Sequence, residues 1–372
     1  MGLTSNLVLV LAVLSAVLLF AGTVWLWPRL ARRSLRAVSG RVGLLLGTQV
    51  ALFAAVGLAA NQAFGFYASW ADLFGQEDDQ GVVVDHTPGD GPVRVVDTRS
   101  VKGTAGEVRQ AGGQIQKVEI VGRTTRIATP AYVYLPPEYF QPRYRTRTFP
   151  AAVVLTGYPG TAAALVDRLH YPRTALRLAR EGRMRPMILV MLRPTVAPPR
   201  DTECVDIPGG PQTESFFAKD LPEAVRAHYR VAEKPGTLGV IGNSTGGYCA
   251  LKLAMHHPAV FAAGAGLSPY YKAPIDPTTG DLFQGDRERR NRADLWWCLR
   301  HLPAPDTSLL VTSSKAGESN YKDTLKFIER VKAKELTRIS SIILNSGGHN
   351  FNTWRREIPA TLEWISGRLS DR

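Results

Sequence analysis

Three residues far apart in the chain have side chains suited to attack on an acyl carbonyl: Ser244, Glu318 and His349. Ser244 lies in Gly242-Asn243-Ser244-Thr245-Gly246-Gly247, a G-x-S-x-G pattern. The pattern does chemistry only where an apolar strand precedes the serine and a helix follows it. A sharp, strained turn then holds the hydroxyl clear of the sheet edge. Leu238 to Ile241 read as that strand, and Tyr248, Leu251, Lys252, Ala254 and Met255 as one run of an amphipathic helix. A motif this short recurs by chance in a glycine-rich chain, so its weight comes from this context and from the partners available to it.

A serine hydroxyl needs a base, and a neutral imidazole is suited to take its proton near pH 7. Seven histidines compete. His228, His256 and His257 fall in or at the end of helical stretches. His170 and His301 lie in connections, and His86 in a polar segment. His349 follows the strand Ser341 to Asn345 and the pair Gly347-Gly348, which places it in a late strand-to-helix connection and makes it the candidate base. The base needs a carboxylate to accept its other N–H and to stabilise the imidazolium. Glu318 is the first acid after the apolar run Leu309 to Thr312. Asp323 is the second choice, and Asp306 precedes the run. The order serine, acid, histidine is one known chain order for such triads. A tetrahedral intermediate also needs preorganised N–H donors. The backbone N–H of Thr245 is one candidate. The other is that of Tyr158, in the loop Thr156-Gly157-Tyr158-Pro159-Gly160, where Pro159 has no N–H to give.

These residues need a scaffold that brings strand ends together. Ile115 to Ile120 and Tyr132 to Leu135 read as an antiparallel pair turning near Gly122. Ala151 to Thr156 and Met187 to Leu192 are continuous apolar runs, as strands buried on both faces require. Leu238 to Ile241, Ala262 to Gly266, Leu309 to Thr312 and Ile342 to Leu344 continue the series. Helical stretches at Arg173 to Glu181, Glu214 to His228, Tyr248 to His256 and Tyr321 to Glu335 lie between. The alternation predicts an α/β fold with a mostly parallel sheet and helices on both faces. Each candidate site residue follows a strand, where such sheets bind ligands.

The amino-terminal part is of another kind. Leu7 to Trp27 is free of charge, and a second apolar run extends from Val42 to about residue 62. Both are long enough for a bilayer core about 30 Å thick. Arg29, Arg32, Arg33, Arg36 and Arg41 lie between or beside the runs. Met1 to Asn6 carry no Lys or Arg, unlike the start of a signal peptide. The expectation is a transmembrane hairpin (residues 1–64, helices about 7–27 and 42–62) with its basic loop in the cytoplasm. Trp25, Trp27, Phe64, Phe66, Tyr67 and Trp70 would sit at interfaces. Residues 65–113 are expected as a linker with at most short strands, and 114–372 as a catalytic domain outside the cytoplasm.

The formal net charge is +13. A basic surface suits anionic surroundings such as a membrane face or a wall polymer, or serves solubility alone. No zinc-finger, helix-turn-helix or RNA-binding signature points to nucleic acid. Of the three cysteines, no two have metal-ligand spacing, and no metal or other cofactor is expected. Cys249 reads as a small core residue. Cys204 and Cys298 lie in loop-like sequence and would be free to pair in an oxidising compartment, which spacing does not decide.

Taken together, these residues resemble the esterase D and antigen 85 (mycolyltransferase) branch of the α/β hydrolases, from about Ile115 to Leu369. The resemblance is carried by Gly157-Tyr158-Pro159-Gly160, by Cys204-Val205-Asp206 and by Thr213-Glu214-Ser215-Phe216-Phe217 leading to Asp220-Leu221-Pro222. Gly242 to Gly247, His257-Pro258, Gly264 to Pro269, Gly347-Gly348-His349-Asn350 and Trp354 complete it. It implies an α/β-hydrolase fold, a serine nucleophile with Glu318 and His349, no metal, and hydrolysis or transfer of a carboxylic ester, with an ester or lipid-like substrate. By matching position, Asp206 would lie near the pocket mouth, unless it serves as a structural hydrogen-bonding carboxylate, and Trp354 would join the substrate site. The tether sets this chain apart from the secreted antigen 85 proteins and the cytosolic esterase D proteins. The alternative expectation is a non-catalytic envelope-binding protein that keeps the fold.

Overall fold

A computed structural model describes residues 6–32, 34–64, 91–101, 112–196, 198 and 200–370. His86, the aromatics Phe66, Tyr67 and Trp70, and most of the expected linker lie outside them. The chain divides into two units, Met1–Gln80 and Gly81–Arg372.

In the first unit, α1 (Asn6–Leu26) and α2 (Leu35–Phe64) are both long and apolar enough to cross a membrane. At about 1.5 Å per residue, α1 alone extends roughly 30 Å. Helix α2 begins earlier than the apolar run, because Arg36 and Arg41 are good helix formers and are taken into its first turns. The Thr23 and Thr48 hydroxyls meet across the pair at 3.0 Å. Each hydroxyl also lies within hydrogen-bond distance of the carbonyl four residues back in its own helix, so the two protons are shared among three acceptors and neither polar group is left bare on an apolar surface. The Arg29 guanidinium lies 4.1 Å from the Trp25 ring centroid, a cation–π contact at the helix end.

The second unit is built on one nine-stranded sheet. Its strands are β1 (Val93–Ser100), β2 (Gln114–Val121), β3 (Ala128–Leu135), β4 (Ala151–Leu155), β5 (Ile188–Leu192), β6 (Leu238–Asn243), β7 (Phe261–Leu267), β8 (Ser308–Ala316) and β9 (Arg338–Ser346). The order across the sheet is β1-β2-β3-β5-β4-β6-β7-β8-β9. The pairs β1–β2, β2–β3 and β3–β5 are antiparallel, and all others are parallel. Strands β4 and β5 are buried throughout, as their unbroken apolar sequence demands. Strand β1 falls in the stretch expected as linker. Only Val93 of its residues is buried, so it carries little hydrophobic signal and is defined by pairing with β2.

Two hydrophobic clusters cover the two sheet faces. One is centred on Val153, Val190, Val240 and Leu251, the other on Val154, Leu189, Ile241 and Ile358. Among the covering helices are α3 (Ala162–Asp167), α4 (Tyr171–Arg180), α5 (Leu221–His228) and α6 (Thr245–His256). Later in the chain come α7 (Arg287–Arg292), α8 (Leu295–His301), α9 (Tyr321–Lys332) and α10 (Phe351–Ser366). The helix expected over Glu214 to His228 is interrupted: a π-helical segment, Phe216–Asp220, precedes α5. Its cause is visible in Asp220, whose carboxylate is drawn to the β2–β3 turn and accepts hydrogen bonds from the N–H groups of Thr124 and Thr125 and from the Thr125 hydroxyl.

The cysteines differ from expectation. Cys204 is joined to Cys249, with Cα atoms 5.8 Å apart, and Cys298 is free and buried. Cys249 is on the face of α6 that meets the Cys204 loop. Cys298 is turned instead toward His256 and the Arg292 carbonyl.

Candidate active site

The central feature is the turn between β6 and α6. Ser244 is the residue between strand and helix, and its backbone is in a region rarely used by side-chain-bearing residues (φ 55°, ψ −121°). Its N–H is held by the Leu267 carbonyl at 3.0 Å, so neighbouring β7 fixes the strained turn. Gly246 makes the turn possible: a Cβ there would run into the carbonyls of Leu155 and Thr156. This places the Ser244 side chain beyond the carboxyl ends of the central strands.

His349 meets it from the loop after β9. Its Nε2 is 2.8 Å from Ser244 Oγ. The position of His349 is set immediately downstream, where the Asn350 side chain caps α10 by accepting from the N–H groups of Asn352 and Thr353. The Trp354 ring lies edge-on to the imidazole with centroids 5.2 Å apart, and its Nε1 donates to Ser268 Oγ at 2.9 Å. Trp354 therefore packs against the histidine and is itself anchored to the loop after β7.

Glu318 follows β8. Gly317 (φ +99°) turns the chain so tightly that a Cβ there would strike the Gly347 carbonyl, which brings the acid loop and the histidine loop together. Glu318 Oε1 is 3.8 Å from His349 Nδ1, within ion-pair range and just beyond hydrogen-bond length. The carboxylate is almost wholly buried and neither oxygen has a hydrogen-bond partner. Asp323 and Asp306 are occupied elsewhere, with Lys326 and Arg338.

The loop after β4 folds back through a Gly160 N–H to Gly157 carbonyl bond of 2.8 Å. Gly157 lies so near the nucleophile that a Cβ on it would be 3.0 Å from Ser244 Cβ, which puts Tyr158 beside the serine. Thr245 is the first residue of α6, a position whose N–H has no acceptor inside its own helix. Tyr158 and Thr245 are thus each next in the chain to a residue at the turn, Gly157 and Ser244.

Asp206 has other business. Its oxygens accept from the Ser215 N–H (2.9 Å) and hydroxyl (2.6 Å), holding the short helical turn Thr213–Ser215. It lines a cavity of about 430 Å³ together with Glu214, Lys252 and His257, and Ser244, Glu318 and His349 are not among that cavity's walls. In this arrangement its hydrogen bonds are those of a turn-holding carboxylate.

Sequence reasoning missed three acids near the site. Asp201 reaches the Thr245 hydroxyl at 3.4 Å, and burial pushes its carboxyl up to about 6. Glu203 accepts from the Tyr270 phenol at 2.6 and 2.7 Å, and burial, then Asp201, push it up to about 9. Both lie in a long connection without periodicity, and no signal pointed to them. Glu357 is wholly buried on α10. It could have been found, because it shares the helical spacing of Trp354, Ile358 and Thr361 on a face that is otherwise apolar or hydroxyl-bearing.

A serine on a strained strand–helix turn, an imidazole in hydrogen-bond contact with it and a buried carboxylate behind the imidazole form a nucleophile–base–acid arrangement. Residues 124–365 match the Esterase family model, described as "Putative esterase". The chain belongs to this family.

Among solved structures, it is similar to the S-formylglutathione hydrolase of Agrobacterium tumefaciens, with a TM-score of 0.56 and 17% identity over 74% of this chain and 99% of that one. It is also similar to a ferulic acid esterase (TM-score 0.59, 16% identity, 68% and 98% covered). The fluorophosphonate-binding serine hydrolase F of Staphylococcus aureus is a third (TM-score 0.55, 15% identity, 68% and 98% covered). At these identities the likeness establishes the α/β-hydrolase fold. An uncharacterized protein of Corynebacterium glutamicum is 23% identical over 70% of this chain, and the match spans 63% of that relative's length.

Proposed function

We propose that the chain is a membrane-anchored, extracytoplasmic serine esterase or acyltransferase that works through an acyl-enzyme on Ser244. The observation that carries the reading is the 2.8 Å contact between His349 Nε2 and Ser244 Oγ in a member of an esterase family. His349 takes the serine proton as Oγ attacks the ester carbonyl. The N–H groups of Tyr158 and Thr245 hold the oxyanion, and Glu318 stabilises the imidazolium. The tetrahedral intermediate expels the alcohol, which leaves with the proton from His349. Water or an acceptor hydroxyl then attacks the acyl carbonyl as it gives a proton to His349, and that proton returns to Ser244 Oγ as the acyl–serine bond breaks, so hydrolysis and transfer differ only in that second nucleophile.

The anchoring rests on α1 and α2, and the orientation on the arginines between them, which favour the cytoplasmic side. The Cys204–Cys249 disulfide agrees with an oxidising compartment. Ser244→Ala is expected to lower kcat on p-nitrophenyl esters by about four to six orders of magnitude, and undiminished turnover refutes the assignment. A reporter fused to the carboxyl end is expected to be active only outside the cytoplasm, and a cytoplasmic signal reverses the orientation.

A further inference from the structure

Behind His349 lies a second buried carboxyl that the proposed reaction does not use. Glu357 is wholly buried. Its Oε2 accepts from the Thr312 hydroxyl at 2.8 Å, and its Oε1 has no hydrogen-bond partner. Thr312 Oγ1 in turn accepts the Ser268 N–H at 3.0 Å, and the Ser268 hydroxyl accepts from Trp354 Nε1. Glu357 is thus the far end of a chain of contacts that runs through β8 and the loop after β7 to the ring packed on His349. Among the described residues the only donor to its carboxyl is thus Thr312, and the nearby charge of Glu318 acts against a second negative charge here. A buried carboxylate with one donor and an unfilled acceptor is costly, and a proton on Glu357 removes that charge.

We propose that Glu357 is a positioning residue for His349, a proton-bearing carboxyl that holds Thr312 and, through Ser268 and Trp354, steadies the imidazole. The inference deepens the esterase reading and rests on it. Burial pushes the Glu357 carboxyl up to about 8. The Thr312 hydrogen bond opposes the rise, Glu318 adds to it and Arg356 opposes it. The groups facing it are Thr312 and Glu318 from the β8 side, Tyr171 from α4 and Arg356 from its own helix. The Tyr171 phenol is buried without a hydrogen-bond partner and stays protonated, since burial and then Glu357 raise it well above its ordinary value. Arg356 is turned to the Ser346 carbonyl. None of these removes the Glu357 proton at neutral pH. Above about pH 8 the proton leaves, and the buried charge disturbs the Thr312 and Ser268 contacts that anchor Trp354 against His349.

The test is the rate at which a fluorophosphonate probe labels Ser244 in the full-length chain between pH 6 and 10. In the wild type the rate is expected to fall on the alkaline side with a midpoint near 8. Glu357→Gln keeps a neutral acceptor for Thr312 of the same shape. It is expected to label within about threefold of wild type at pH 7 and to lack the falling limb. Glu357→Leu removes the acceptor and is expected to label about 10- to 100-fold more slowly. Where the Leu variant does not fold, as judged by circular dichroism, the Gln comparison decides. A falling limb unchanged in Glu357→Gln, or a folded Leu variant labelling at the wild-type rate, overturns the inference and leaves the esterase reading standing. A wild-type Ser244 inert to the probe at every pH overturns both.

Discussion

Glu214 and the buried carboxyls Glu318 and Glu357 are opposites in how their oxygens are filled. Glu214 is saturated: Lys252 Nζ donates to Oε2 at 2.7 Å, and His256 Nδ1 and His257 Nε2 meet Oε1 at 2.9 and 3.0 Å. Lys252, itself 1% exposed, gives a further bond to the Cys204 carbonyl. Burial alone would raise the Glu214 carboxyl, but Lys252 and the two histidines hold it well below its ordinary value. Glu318 and Glu357 leave three carboxyl oxygens without partners. A saturated charge network locks one arrangement, here the join between the Cys204 loop, the Thr213 turn and α6. An unsaturated one keeps acceptor capacity for a proton or for an imidazolium that forms only during reaction.

The contrast is open to test, and the largest effect belongs to the unsaturated side. Glu318→Gln is expected to lower kcat by about 10³- to 10⁴-fold with little change in unfolding midpoint, because the amide cannot stabilise the imidazolium. A loss below tenfold would move the acid's role to another residue. Glu214→Ala should do the reverse. Turnover per folded molecule stays near wild type, while stability falls by about 3–5 kcal/mol because Lys252 is left buried and uncompensated. Denaturant unfolding of the solubilised chain measures it.

The smallest effect in the same cluster is its pH dependence. His256 is held below its ordinary value by burial, against the pull of Glu214. As pH falls past about 6.5 the unfolded chain therefore takes up the proton first, and folded stability declines. Glu214, held below its ordinary value, contributes stability that is present above about 4.5 and is lost as pH falls further. Unfolding midpoints that decline from pH 7 to 4 in wild type are the expected record; in Glu214→Ala the further loss below about 4.5 is absent, while the decline above it is at least as steep because His256 has lost the carboxylate that raises it.

Much of the front of the site was legible because its signals are local. A G-x-S-x-G between a strand and a helix, and a histidine after a strand and two glycines, each announce their own backbone context, and the structure brings Ser244 and His349 into contact. The acid loop was legible in position through the apolar run before it. The partner of Cys204 was not. Cys249 reads as core, and so it is, but the cysteine facing it comes from a connection without periodicity. Strand β1 was hidden for a related reason: an edge strand with one buried side chain is specified by its neighbour's free hydrogen-bonding groups.

The amino-acid sequence by itself determined the alternation of strands and helices, the two apolar amino-terminal helices and the choice of Ser244 and His349 as candidates, because periodicity and turn chemistry act over a few residues. The tertiary structure alone decided which carboxyls are filled and which are left open. Glu214 and Glu357 look alike along the chain, as acids within helical stretches. One is met by Lys252, His256 and His257, the other by Thr312 alone with Glu318 nearby. Whether a buried oxygen finds a donor depends on segments tens of residues away, and that pairing exists only once the sheet has assembled.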